Sequence, residues 1–172
     1  LVQRGELHGA LGALDALTRA WPGDPRYLTK QAELALRTGE VTLARAAYEQ
    51  LITTHPGVPL LRYLHAKVLT QANAPRAALA EYQHALELGI DQAEETLVCM
   101  AHLHSALHES ARAEVLLRRA IGRKPDYVPA LFNLATLVEE RGERATALAL
   151  YERVIALEPS ARALRDDRVD EA

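Results

Sequence analysis

The stretch "HLHSALH", residues 102–108, holds three of the chain's seven histidines, and the single cysteine, Cys99, lies just upstream. Imidazole nitrogen and thiolate sulfur are common zinc ligands, and zinc takes about four of them, or three plus water at a catalytic centre. His104 and His108 stand four residues apart, so on a helix they project from one face. A zinc centre is therefore the first chemistry to weigh, and it depends on where the helices put Cys99, His102, His104 and His108. Other chemistry finds no motif. The sequence contains no G-x-x-x-x-G-K-[ST], no G-x-G-x-x-G, no H-E-x-x-H and no G-x-S-x-G. The carboxylate pairs Glu94/Glu95 and Glu139/Glu140 fall near expected helix ends and read as solvated faces. "GALG" at 9–12 falls inside an expected helix, where close packing explains it better than a nucleic-acid loop does. The expectation is a chain that is not an enzyme and binds no cofactor or metal.

The elements that must position these groups are helices. The 172 residues are 49% hydrophobic but only 5% aromatic, so the apolar mass is mainly Ala, Leu and Val. Alanine and leucine lead the helix-propensity ranking, and the β-branched and aromatic clusters of strands are few. The net charge of −3 comes with acidic and basic residues interspersed, which excludes the basic stripe of a nucleic-acid binder. One cysteine excludes an internal disulfide and a multi-cysteine zinc site. No apolar run approaches the roughly 18 residues that would cross a bilayer, so membrane insertion is not expected. Arg4, Glu6 and Asp15 interrupt any signal-peptide core, and the chain opens without Met in mid-pattern, like a piece of a longer protein. The compartment stays open. Heavy Ala, Leu and Arg usage points to a GC-rich bacterial genome.

Self-similarity organises the rest. Alanines recur at Ala10, Ala44, Ala78, Ala113 and Ala147, in steps of 34, 34, 35 and 34. Four residues after each comes a large side chain: Leu14, Tyr48, Tyr82, Leu117 and Tyr151. Eight further on stand Pro22, Pro56, Ile90, Pro125 and Pro159. Twelve residues before the alanines, a second small column holds Ala32, Ala66, Ala101 and Ala135. Apolar residues recur at helical spacing in each half-unit, for example Leu131, Leu134, Ala135 and Val138. "TGE" at 38–40, "ANAP" at 72–75, "RGE" at 141–143 and "HPGVP" at 55–59 break the helices. Small residues let paired helices approach where larger ones would overpack. The step from Ala78 to Ala113 is one residue too long, which places an extra residue in the 89–93 turn. Arg62 and His65 fill slots that are usually apolar, so their helix should pack worst.

These columns resemble the tetratricopeptide repeat (TPR) family over essentially the whole chain, roughly residues 1–160. The resemblance implies an all-α fold, a right-handed α-solenoid of antiparallel helix pairs. The units read as 25–58, 59–93, 94–127 and 128–161, preceded by a partial unit 1–24, and 162–172 is a charged tail or capping helix. Such arrays line a concave groove with their first helices, and that implies a scaffold binding a peptide or partner protein there. The corresponding residues are Arg26, Lys30, Tyr63, Leu64, Lys67, Val98, Cys99, His102, Phe132, Asn133 and Thr136, unless adjacent coils cover Tyr63 and Phe132. The groove would be apolar in its middle and basic toward the N-terminus. Positions matching the clamp with which some members grip acidic chaperone C-termini hold Thr29, Glu33, Leu64, Glu95 and Cys99, so that ligand is not expected. An alternative is a substrate-presenting segment of a larger enzyme, such as a sulfotransferase, glycosyltransferase or hydroxylase. In the partial unit, Leu7, Leu11 and Leu14 are expected to lack part of their cover, which makes self-association a further expectation.

The repeat register also separates the histidines. His102 and Cys99 fall on the groove side, His104 on the seam with the partner helix, and His108 in the turn where other units have Gly39 and Gly142. One ion could hardly take all of them. A buried, neutral His104 would instead need a hydrogen-bond partner, since leaving it unpaired costs about 1–3 kcal/mol.

Overall fold

The computed structural model describes residues 2–157, with side chains from Glu6 onward. Among the described residues there are nine helices and no strand: α1 (Val2–Ala20), α2 (Pro25–Thr38), α3 (Val41–Thr54), α4 (Pro59–Gln71), α5 (Pro75–Glu87), α6 (Ala93–Ala106), α7 (Ser110–Arg123), α8 (Val128–Glu140) and α9 (Arg144–Leu157). The chain divides into two compact units, Leu1–Asp91 and Gln92–Ala172. The charged segment 162–172 lies outside the described residues.

Local sequence sets both boundaries of α2. In α2 the Asp24 carboxylate accepts the Arg26 backbone N–H at 2.9 Å, and Pro25 occupies the first turn, where its missing N–H costs nothing. Leu28, Gln31, Ala32 and Ala35 form the buried stripe of that helix. Gly39, at φ 82°, closes it in the left-handed conformation that glycine adopts without penalty. His108 holds the same kind of turn at φ 59° after α6, a costlier choice for a residue with a Cβ.

In the first unit each helix packs on the next, α1 through α5. Its core joins Leu11, Leu28, Ala32, Ala35, Ala44, Ala47, Tyr48, Leu51 and Val68. Ala32 and Ala44 are fully buried, as the close crossing of α2 and α3 requires. Of the leucines expected to lack part of their cover on α1, Leu7 and Leu14 are half-buried and Leu11 is buried. Ala10, by contrast, is exposed: no first helix packs against α1 among the described residues, and that column has nothing to fit there. The poor fit expected of α4 shows in its polar atoms and not in its burial: Arg62 Nε and both His65 ring nitrogens are buried without a hydrogen-bond partner among the described residues. The helix buries Tyr63, His65, Ala66, Val68 and Leu69, and Arg62 reaches Glu81 of α5 at 3.0 Å. The last helix is the sparse one, with only Ala147 buried among its described residues.

In the second unit α6 pairs with α7 and α8 with α9, and both α6 and α7 touch α8. Leu97, Ala101, Leu117, Leu131, Ala135 and Val138 fill the core between them. Each fully buried leucine contributes roughly 1.5–3 kcal/mol through the apolar surface it removes from water.

Candidate functional site

The histidine-rich stretch is dispersed. His102 is exposed on α6, Cys99 is half-buried three residues before it, and His108 sits exposed in the α6–α7 turn. His104 is largely buried, and its Nδ1 meets Glu109 Oε2 at 2.6 Å. Among the described residues no group of three His, Cys, Asp or Glu side chains could hold a metal ion.

The first-helix positions of the first unit divide by burial. Tyr63, expected on an open face, is 5% exposed and packs against the Tyr82 ring at 5.6 Å. It is core. Leu64 is half-buried and packs on the same core. Lys67 lies over the Tyr63 ring, 5.5 Å from its centroid. The basic residues nearer the N-terminus have acidic neighbours: Arg26 pairs with Asp24 at 2.7 Å, and Lys30 with Glu33 at 2.9 Å. The Arg26 hydrogen bonds hold the Asp24 carboxyl below its usual range. The basic character expected there is partly cancelled.

The second unit keeps its positions open. Phe132 of α8 is 52% exposed and meets the Tyr151 ring of α9 edge-on at 5.9 Å. The Tyr151 hydroxyl donates to Glu139 at 2.8 Å and lies 3.3 Å from Thr136 Oγ1, which pins the ring that supports Phe132. Asn133 turns its amide onto the Pro129 carbonyl at 2.6 Å. Beside them α6 and α8 border a cleft of ≈ 280 Å³, lined by His102, Ser105, Asn133, Thr136 and Glu140 over a floor that includes Leu117 and Leu137. Val98 and Cys99 are half-buried on α6. The structure thus brings together His102, Asn133 and Thr136, with Phe132 one helical turn from Thr136.

Sequence reasoning missed the setting of His65. Its ring is 7% exposed, with Nδ1 3.7 Å from Glu81 of α5 and Nε2 3.9 Å from Glu49 of α3, too far for a hydrogen bond to either. Burial pushes the imidazole below its ordinary pKa, against the pull of both carboxylates. The signal available in sequence was two polar residues in apolar slots, and it did not name the acids that face them.

Antiparallel helix pairs seamed by buried alanines, with polar faces on the first helix of each pair, define an α-helical repeat protein. The tetratricopeptide repeat profile matches residues 1–59 and 100–166, and the chain belongs to that family. Its structure is similar to that of MamA, at 17% identity over 94% of each chain with a TM-score of 0.82. It is also similar to YrrB, described as a TPR protein with an unusual peptide-binding site, at 18% identity over 96% of this chain and 87% of that one, TM-score 0.72. A thermophilic TPR protein of Thermus thermophilus, TTC0263, aligns at 20% identity over 96% of this chain and 90% of that one, TM-score 0.67. At these identities the likeness shows the fold. No curated protein matches the chain. The fold is consistent with a protein–protein interaction scaffold, and no described helix is long and apolar enough to cross a membrane.

Proposed function

We propose that the chain is a non-catalytic scaffold that binds an extended peptide segment of a partner protein on the faces of its first helices. The α6/α8 face of the second unit is the best-built example. Phe132 carries this reading: a large ring, 52% exposed, is held by Tyr151 beside a cleft of polar side chains. Aromatic anchors of this kind dominate binding energy at interfaces, and polar groups around them fix the orientation of the bound chain. His102, Ser105, Asn133 and Thr136 would bond the peptide backbone, with Val98 and Cys99 adding apolar contact. Arg26, Lys30, Leu64 and Lys67 form a second contact surface on the first unit, from which buried Tyr63 is removed. The peptide-binding site described for YrrB supports the reading by likeness of fold.

Selection of a randomised peptide library on the immobilised protein tests it. Enriched peptides should bind Phe132→Ala about tenfold or more weakly, the loss of an aromatic anchor, while its thermal midpoint stays near wild type. Leu148→Ala, which removes an exposed residue of α9, should leave binding unchanged. Equal binding to wild type and Phe132→Ala would sink the proposal.

A further inference from the structure

The chemistry of the peptide can be taken further, on the basis of the α6/α8 reading above. Charge in the second unit is sorted by helix. The first helices α6 and α8 carry Glu94, Glu95, Glu139 and Glu140 and contain no Lys or Arg. The second helices α7 and α9 hold Arg112, Arg118, Arg119, Arg123, Arg144 and Arg153 against Glu114 and Glu152. Glu94 takes the Arg123 guanidinium at 2.8 Å, and Glu139 accepts the Tyr151 hydroxyl at 2.8 Å. Glu140 lines the cleft, and no Lys or Arg lines it among the described residues. The guanidinium next along the chain, Arg141, is turned to Glu114 at 2.6 Å and Glu143 at 2.9 Å.

We infer that this face selects a cationic extended segment, with an apolar side chain against Phe132 and a Lys or Arg at Glu140. Eight helical residues separate these two anchors, about 12 Å along α8, which an extended peptide spans in roughly three to four residues. Carboxylates at the rim of a low-dielectric cleft steer and select cations more than they add raw affinity. The complementary charge therefore sets which peptide docks, while Phe132 sets how firmly it is held.

Fluorescence polarisation with three labelled peptides tests the inference. They share a central Leu pair and differ only in whether the flanking residues are Lys, Ser or Glu. The Lys peptide should bind the full chain about tenfold more tightly than the Ser peptide at low salt, and the advantage should shrink as ionic strength rises to about 0.5 M. Glu140→Lys should abolish or invert the preference for the Lys peptide over the Ser peptide. Equal binding of all three peptides overturns the charge selection and leaves the peptide-binding reading standing. Failure of all three to bind overturns both. A dimer in sedimentation equilibrium that Phe132→Ala disperses would assign the face to a second copy of the chain and overturn the inference as well.

Discussion

Nδ1 of His104, in the last turn of α6, lies 2.6 Å from Oε2 of Glu109, the residue immediately before α7. The same carboxylate oxygen accepts the Arg112 guanidinium at 3.0 Å, and the Glu109 backbone N–H donates to the His104 carbonyl at 2.8 Å. One residue pair thus latches the turn between two helices through both side chain and backbone. It also supplies the partner that a buried imidazole in an apolar column requires.

The latch makes an acid-dependent contribution. The His104 hydrogen bond first, and then the charge of Arg112, hold the Glu109 carboxyl below its usual value of 4.5. A carboxyl lowered in the folded state stabilises fully above its unfolded pKa, and that contribution is lost as pH falls through the lowered folded value. Glu109→Gln should therefore melt below wild type at neutral pH, with the difference closing below the carboxylate range. Thermal scans across that range check this, and a gap undiminished at about pH 3 would refute it.

His65 works in the opposite sense to a stabilising ion pair. Burial lowers its pKa from 6.5, so the fold prefers the neutral ring and its stability is complete only above that value. Stability should fall as pH drops below 6.5 and the unfolded chain takes up a proton that the folded chain resists. His65→Leu should flatten this part of the pH profile and, by removing two buried nitrogens without hydrogen bonds, stabilise by about 1–2 kcal/mol at neutral pH. Urea midpoints at neutral and mildly acidic pH decide. A wild type that gains stability on acidification would show that Glu49 and Glu81 outweigh burial.

Two tyrosines of one column should respond differently to loss of the hydroxyl. The Tyr48 hydroxyl is buried without a hydrogen-bond partner among the described residues, and burial with the Glu33 charge nearby pushes its pKa up to about 12. Tyr48→Phe should stabilise by about 1 kcal/mol, the cost of an unpaired buried polar group. Tyr151→Phe loses the bonds to Glu139 and Thr136 and should destabilise by about 0.5–1.5 kcal/mol. Denaturant titration of the pair should give opposite signs.

The alanine seams can be probed by size. Ala113 has no exposed surface, so Ala113→Leu should cost about 1–3 kcal/mol by overpacking. Ala10 occupies the same column but is exposed, and Ala10→Leu should change stability by less than about 0.5 kcal/mol. Equal losses at both positions would contradict the packing described for α1.

The helix pairs were legible because period and spacing report which face of a helix is apolar, and Ala32, Ala66, Ala101 and Ala135 are all buried as their column requires. The registers of His102 and His108 were legible for the same reason. What periodicity does not carry is the identity of the side chain that arrives from another helix. Tyr63 belongs to an open register position yet is covered by Tyr82, and Arg62 and His65 find their acids on α5 and α3. Phe132 stays open beside an equivalent tyrosine, Tyr151, whose hydroxyl is tied to Glu139 and Thr136.

The fully buried alanines also bear on how such a chain changes over generations. A single-base change in an alanine codon that alters the residue gives Val, Thr, Ser, Pro, Asp, Glu or Gly. All but glycine enlarge the side chain, and glycine weakens the helix by about 1 kcal/mol. At Ala44, Ala78 and Ala113 nearly every coding change is therefore met by a packing or propensity penalty, while the outer faces are free to drift. Chains of this architecture can lose most of their sequence likeness before they lose their register, as the pairing of 17% identity with a TM-score of 0.82 illustrates.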